Sequence, residues 1–474
     1  MSKEYDLVVL GGGTGGYVAA IRAAQLGMHV AIVEHDKLGG TCLHRGCIPT
    51  KTLLRSAELY RQALLASQYG IELTINKIDM KKMITKKTSI INQLHDGIKA
   101  LMKKHNIDVY DGFGRILGPS IFSPLPGTIS VEKSTGEDND MLIPKFVLIA
   151  TGSRPRTIPN ISIDGKVIIT SDEAVNMDEL PQSVIIVGGG VIGIEWASLL
   201  SDFGVEVTIV ENASHILMTE DDDIRREVEK HFKKRGVNII TNASLDTESV
   251  KLTENNVSVE IVVNKEKQSL TADKMLISVG REANIDDIGL SNTAIEIENG
   301  FIKTSEVYQT KESHIYAIGD VIGGLQLAHV ASEEGIIAVE HMAGLNPVTI
   351  KRENIPVNIY SYPEVAKIGL TEREAKEKYE KIKVGKFPLR GIGKAHVNGD
   401  TDGFAKIITD EKTEDIIGIH LVGSHATELI GEASLAKFLN ATAWEVSKTI
   451  HPHPSISEVF QESALATEKI QIHG

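Results

Sequence analysis

Cysteine is nearly absent from this chain: its 474 residues contain two, Cys42 and Cys47. Two sulfurs cannot build a disulfide-stapled scaffold. They also leave a tetrahedral zinc site short of ligands, because no second CxxC and no nearby His pair completes one. Positive charge is in deficit too, with 50 Lys and Arg against 64 Asp and Glu and a net charge of −14. That balance argues against a nucleic acid, whose phosphates would repel the chain, and leaves room for a basic protein partner. Long apolar runs are missing. The most prominent uncharged stretch, Val184 to Ile194, ends at Glu195 and falls short of the about 20 residues that span a bilayer. The opening Met1-Ser2-Lys3-Glu4-Tyr5-Asp6 shows no signal-peptide pattern, so a cytoplasmic protein without membrane association is expected. What is present, 42 % hydrophobic residues, 24 % charged residues and 42 glycines, describes an α/β enzyme, and the length implies about three domains.

The two cysteines share one glycine-flanked turn, Gly39-Gly40-Thr41-Cys42-Leu43-His44-Arg45-Gly46-Cys47-Ile48-Pro49-Thr50-Lys51. In an ideal helix, positions five apart are separated by about 7.5 Å along the axis, whereas a disulfide wants its Cα atoms within roughly 4.4–6.8 Å. Closing Cys42 onto Cys47 therefore requires a bent or unwound turn, which Gly46 permits and Pro49 helps define. A bridge in so small a loop would be easily reduced and re-formed. A static structural bridge gains little from such a short loop. Two inert buried thiols are the remaining alternative.

Tyr5–Leu10 reads as a buried strand that runs into Gly11-Gly12-Gly13-Thr14-Gly15-Gly16, then a helix over Tyr17–Leu26, then a strand His29–Val33 ending in Glu34. The unit recurs: strand Val184–Val187, Gly188-Gly189-Gly190-Val191-Ile192-Gly193, a helix through Leu200, strand Val205–Val210 and Glu211. Strand, glycine turn, helix, strand and acid is the dinucleotide fingerprint. In each copy the acid lies 18 residues after the last glycine, where it can accept from a ribose hydroxyl. Two complete copies predict two dinucleotide sites. A carboxylate at Glu211 repels a 2′-phosphate, so the second site should prefer NAD over NADP, leaving the first free to hold a flavin.

Between these units, Leu73 to Asn106, with Lys81, Lys82, Lys86, Lys87, Lys99, Lys103 and Lys104, reads as a helical segment with a solvated face. Glu220-Asp221-Asp222-Asp223 is expected to complement a helix N-terminus capped by Thr219, and no metal site is expected there. Thr128–Val131 and Val257–Val263 look like exposed β-ribbon. From about Asn346 the pattern changes to strands, Ile355–Ser361, Phe404–Thr409 and Ile416–Leu421, followed by helices, a third and α+β domain. Near the end stands His451-Pro452-His453-Pro454-Ser455-Ile456-Ser457-Glu458, where a helical turn could bring Glu458 to an imidazole as the orienting partner of a general base. Spacing does not choose between His451 and His453.

The cysteine loop, the two glycine units, Ala150-Thr151-Gly152-Ser153-Arg154-Pro155, Ile315-Tyr316-Ala317-Ile318-Gly319-Asp320 and the HPHPSISE run, in this order, resemble the pyridine nucleotide–disulfide oxidoreductases from end to end. Within them the likeness is to the dihydrolipoyl-oxidising branch, most closely the bacterial form that serves branched-chain 2-oxo acid dehydrogenase complexes. The resemblance implies two Rossmann-like domains and a C-terminal α+β dimerisation domain: 1–150 for FAD, 151–280 for NAD, 281–345 returning to the FAD domain and 346–474 for the interface. It implies that Cys42 meets substrate, Cys47 meets the flavin, His453 is the base and Glu458 its orienting carboxylate, the last two reaching the cysteines of the other subunit of a homodimer. It implies that Gly11, Gly13, Gly16, Glu34, Lys51, Gly114, Thr151, Gly152, Ser153 and Asp320 hold FAD with Ala328 near its ring. Gly188, Gly190, Gly193, Glu195, Glu211 and Gly280 would hold NAD, with Lys51 and Glu195 pairing near hydride transfer. The implied substrate is the dihydrolipoyl group of an acyltransferase core component. The family often has Asn-Val where this chain has His44-Arg45, which could raise the thiolate fraction by their charge or point outward. Thr50 replaces a frequent Ser and keeps the hydroxyl.

Overall fold

The computed structural model describes residues 2–119, 125–133 and 135–473. By its contacts the chain forms two units: the residues up to Thr52 with Asp79–Arg156 and Gly280–Ile350, and Leu53–Ile78 with Thr157–Val279 and the residues from Lys351. Residues 53–78, which the sequence boundaries place with the first nucleotide domain, group with the second unit.

In the first unit, strand β1 (Ser2–Leu10) lies between parallel neighbours β2 (Val30–Glu34) and Asp140–Ile149 in a seven-stranded sheet. Leu7, Val9 and Ile32 enter one apolar cluster and Val8, Leu10, Ala31 and Val33 another. Burial on both faces is why these strands are continuous apolar runs rather than alternating ones. Helix α1 (Thr14–Gln25) begins three residues before the expected Tyr17. Gly15 and Gly16 are poor helix formers, but packing requires them: a Cβ on Gly16 would lie 1.9 Å from the Gly11 carbonyl oxygen. Helices α2 (Gly40–His44) and α3 (Cys47–Leu65) follow.

The expected lysine-rich helix is shorter than its sequence segment. Helix α4 runs over Met80–Lys104, started by Asp79, whose carboxylate accepts from the Lys82 amide at 3.1 Å. Ile91, Ile98 and Met102 put one face into the core, and Lys87 is buried rather than solvated. The segment expected as an exposed ribbon near Thr128 is also buried. Strand Ile129–Glu132 pairs antiparallel with Phe113–Ile116 and Asp140–Ile149 inside the seven-stranded sheet, and three of its four residues are in the core.

The second unit holds a five-stranded parallel sheet in the order Asn238–Ile240, Glu206–Val210, Ser183–Val187, Lys274–Ile277, Ile168–Thr170. Val257–Val263 is the middle strand of a three-stranded antiparallel sheet, and Val257, Val259 and Ile261 are buried, which corrects its reading as exposed. A five-stranded antiparallel sheet carries the C-terminal region: Val357–Ile359, Val365–Gly369, Ile416–Val422, Phe404–Asp410 and Ile382–Pro388. Helices Ala426–Phe438 and Glu458–Ala466 contribute Ile430, Ala433, Val459 and Phe460 to its core. The acidic run lies at a helix N-terminus as expected, with Asp222 and Asp223 in the first turn, but its cap differs. Asp221, not Thr219, caps helix Asp222–Lys234 by accepting from the Asp223 amide at 3.0 Å. Asp221 and Glu220 are buried against lysines: Lys406 Nζ lies 2.8 Å from Asp221, 3.1 Å from Asp223 and 2.6 Å from Glu372, and Lys367 Nζ lies 2.9 Å from Glu220.

Candidate active site

The first glycine turn lies at the carboxyl end of β1, where nucleotide crevices open in parallel sheets. Gly11 adopts φ +100°, and a Cβ there would lie 2.4 Å from the Ala150 carbonyl oxygen. Gly13 precedes α1 and has no side chain to cap it, so the helix presents its first amides and positive dipole end outward. Glu34, at the end of β2, accepts from the Gly12 amide at 2.7 Å and the Asp36 amide at 2.8 Å. The second unit repeats this construction. Gly188 has φ +106°, Gly190 begins helix Val191–Asp202, and Gly193 packs at the Gly188 carbonyl. Glu211 accepts from the amides of Gly189 at 2.6 Å and Ala213 at 2.7 Å. Each turn thus combines an uncapped helix start with an anchored carboxylate.

The cysteine loop is attached to the first turn. Gly39 donates its amide to the Gly12 carbonyl at 2.8 Å, and a Cβ on Gly40 would lie 2.7 Å from the Gly13 Cα. Cys42 lies within α2 and Cys47 opens α3. Between them the helix breaks at Arg45 and Gly46, whose amides both turn back to the Thr41 carbonyl, the bend that the five-residue spacing requires. The sulfurs are in the dithiol form. The Cys47 side chain, hydrogen-bonded to it, and burial push the Cys42 thiol well above its ordinary range, while Thr14 and Lys51 pull the other way. Lys51 lies one turn beyond Cys47 on α3.

Neither residue between the cysteines activates them by charge. Burial lowers the His44 imidazole, which is therefore neutral at pH 7, and its Nε2 donates to the Leu38 carbonyl at 2.9 Å. Arg45 is paired with Asp36.

Farther along the first unit, Ser153 Oγ donates to the Asp320 carboxylate. Thr151 Oγ1 donates to the Asn284 carbonyl at 2.8 Å, and Asn284 Nδ2 returns a bond to the Thr151 carbonyl at 2.9 Å. Sequence reasoning missed Arg281, which donates to Ser153 Oγ at 2.7 Å and lies 3.7 Å from Asp320. It follows Gly280 and pairs through strand Arg281–Ala283 with Ser153–Pro155, so the ATGS turn was the only signal pointing to it. Gly152 has φ +70° with open space at its Cβ direction. Gly114 packs on β1 and β2, where a Cβ would meet Leu10 at 2.6 Å. Ala328 opens helix Ala328–Met342, and Gly280 has φ +106° at the edge of the first unit.

In the second unit, Glu195 is buried and accepts from the Tyr360 amide at 3.0 Å. His453 Nδ1 lies 2.9 Å from Glu458 Oε1, and Glu458 Oε2 accepts from the Ser455 amide at 3.0 Å. Burial would raise the Glu458 carboxyl, but the bonds from His453 and Ser455 outweigh it and hold it below its ordinary value. The other histidine is engaged elsewhere: His451 Nε2 meets Glu432 at 2.7 Å, and that bond raises its pKa. Of the two histidines, His453 is the exposed one with an oriented ring.

A family model described as pyridine nucleotide-disulphide oxidoreductase matches residues 5–335, and one for the dimerisation domain of the same group matches 355–464. The chain is 59 % identical over 473 residues to a dihydrolipoyl dehydrogenase of Bacillus subtilis, covering all of both chains, and 41 % identical to one of Zymomonas mobilis, again over both full lengths. Among solved structures, LpdA of Mycobacterium tuberculosis superposes with a TM-score of 0.90 at 28 % identity, over 97 % of this chain and 98 % of that one. The Cu(II) complex of the HOCl-induced flavoprotein disulfide reductase RclA of Escherichia coli gives 0.86 at 29 %, over 98 % and 99 %. The uncapped helix starts at Gly13 and Gly190 suit pyrophosphates, and the anchored Glu34 and Glu211 suit ribose hydroxyls. Full-length likeness and two glycine turns of the same construction agree: this chain belongs to the pyridine nucleotide-disulphide oxidoreductases, enzymes of FAD and NAD.

Proposed function

We propose that the chain oxidises the dihydrolipoyl group carried by an acyltransferase core component and passes the electron pair to NAD+. The observation carrying this reading is the Cys42–Cys47 pair, hydrogen-bonded across a broken helix beside the first glycine turn, in a chain alike over its full length to dihydrolipoyl dehydrogenases. In the oxidised enzyme a substrate thiolate attacks Cys42 and breaks its bond to Cys47. The second substrate thiol, deprotonated by His453, then displaces Cys42, so substrate leaves as the disulfide and the protein holds both electrons as a dithiol. The proton taken by His453 can then pass to the departing Cys42 sulfur, whose raised pKa favours the thiol. Glu458 fixes the tautomer, because a carboxylate on Nδ1 leaves Nε2 to take the proton. When bound, FAD would supply the acceptor for the electron pair held by the Cys42–Cys47 dithiol, and NAD+ would supply the final hydride acceptor.

FAD is assigned to Gly11, Gly13, Gly16, Glu34, Lys51, Gly114, Thr151, Gly152, Ser153 and Asp320, with Ala328 near the ring. NAD is assigned to Gly188, Gly190, Gly193, Glu195, Glu211 and Gly280, and Lys51 with Glu195 to the place of hydride transfer. Residues 1–150 and 281–345 are assigned to the FAD-binding part, 151–280 to NAD and 346–474 to the interface. His453 is assigned to the site of the second subunit of a homodimer, a reading that the dimerisation-domain match supports. The complex served is assigned as the branched-chain 2-oxo acid dehydrogenase, in the cytoplasm. Steady-state rates with dihydrolipoamide and NAD+ should far exceed those with glutathione disulfide and NADPH. The reverse preference, or a Cys42→Ser enzyme with near-parental lipoamide turnover, would sink the assignment. Stronger binding to a pyruvate-complex core than to a branched-chain core would reject the last step alone.

A further inference from the structure

Helix α2, which carries Cys42, has five residues. A helix that short does not hold itself in water, so its position must come from tertiary ties. Several converge just ahead of it. Leu38, buried between β2 and α2, presents its backbone carbonyl to two imidazoles: His44 Nε2 at 2.9 Å from α2, and His95 Nδ1 at 2.9 Å from the middle of α4. The rings stand edge to face with centroids 5.3 Å apart. A carbonyl oxygen only accepts and has two lone pairs, so each ring carries hydrogen on the nitrogen that faces Leu38 and the acceptor is filled. The segment after β2, the redox helix and α4 therefore meet at one oxygen. Arg45 on Asp36 fastens the other side of the same segment, and Asp36 is tied through its amide to Glu34.

We propose that His44 and His95 are positioning residues of the redox loop, clamping Cys42 against α4 through the shared Leu38 carbonyl. This deepens the functional reading, resting on Cys42 as the thiol that meets substrate. The clamp works through N–H donors at two different ring positions, which makes it specific in a way a packing role is not. Glutamine places its amide nitrogen where histidine has Nε2, and asparagine where histidine has Nδ1.

The test is the rate at which iodoacetamide alkylates Cys42 in the reduced holoenzyme, followed on the Cys42 peptide by mass spectrometry. His44→Gln and His95→Asn, singly and together, should stay within about twofold of the parent, because each keeps its hydrogen bond. His44→Asn and His95→Gln should alkylate about threefold to tenfold faster, as loss of a hydrogen bond of ordinary strength frees α2. Leucine at either position should do the same. Equal rates for the Asn and Gln forms at either position, or the opposite order, overturn the clamp. The Asn and Gln comparison decides the matter even if a Leu variant does not fold. Because alkylation needs no lipoyl substrate, failure of the clamp is distinguishable from failure of the proposed activity.

Discussion

Glu458 is short of solvent, acts on one nitrogen of an exposed imidazole, and does so with one oxygen while the Ser455 amide holds the other. Such a carboxylate orients without being consumed. Glu458→Gln should leave the fold and bound flavin intact and reduce kcat with dihydrolipoamide by about tenfold or more, since an unoriented base loses part of its contribution. An unchanged kcat would show that His453 needs no partner. Glu211 makes the corresponding prediction for the second nucleotide. Its carboxylate is anchored by two amides, and under the proposed NAD assignment it would repel a 2′-phosphate. Replacing it by Gln should raise KM for NAD+ and shrink the preference over NADP+ by about an order of magnitude, as one charge is removed. Steady-state competition between the two cofactors measures this.

The strands and helices show where local pattern is enough and where it fails. The glycine turns were legible because their chemistry is local: a positive φ, a helix start and a strand-end acid must lie at set intervals. The acidic run at 220–223 was legible only as a helix start. Its partner Lys406 comes from a strand 185 positions away from Asp221. A lysine buried to 1 % exposure among Asp221, Asp223 and Glu372 is charged because those carboxylates offset its desolvation. Lys406→Met should cost about 3–5 kcal/mol, because it leaves carboxylates buried without their cation. Denaturant unfolding with bound cofactors checks it, and a loss under 1 kcal/mol would mean that water replaces the lysine. Lys87 and strand Ile129–Glu132 failed for the same reason. Exposure is set by the elements they pack against, not by their own composition.

For the whole molecule, pH acts through groups that folding has buried. His231, in helix Asp222–Lys234, is held at about 4 chiefly by burial, with Arg235 adding repulsion. Its ordinary value is 6.5, so between pH 6.5 and about 4 the unfolded chain binds a proton that the folded chain does not. Stability is unaffected by this group above that window and falls on acidification through it, by on the order of 2 kcal/mol. Thermal unfolding at pH 7 and pH 5 should show a smaller drop in a His231→Gln chain than in the parent. Parallel drops would assign the acid sensitivity to other groups, but not to Asp221 and Asp223. Against burial, His420 and Lys406 hold Asp221 low and Arg226 and Lys406 hold Asp223 low, so both lose their contribution only at lower pH.

The sequence by itself determined the glycine turns, their acids, the bend between Cys42 and Cys47 and the reach of Glu458 to an imidazole of the preceding run, since each joins residues whose separation along the chain is short enough for backbone geometry to dictate. Only the tertiary structure decided which histidine of the pair is oriented outward, what neutralises the acidic run, and that Arg281 joins Ser153 and Asp320. It also decided what His44 does. A residue that sequence left either as a charge near two thiols or as a side chain pointing outward proves to donate to the Leu38 carbonyl, because its acceptor and its companion His95 arrive from other elements, and no spacing along the chain encodes that meeting.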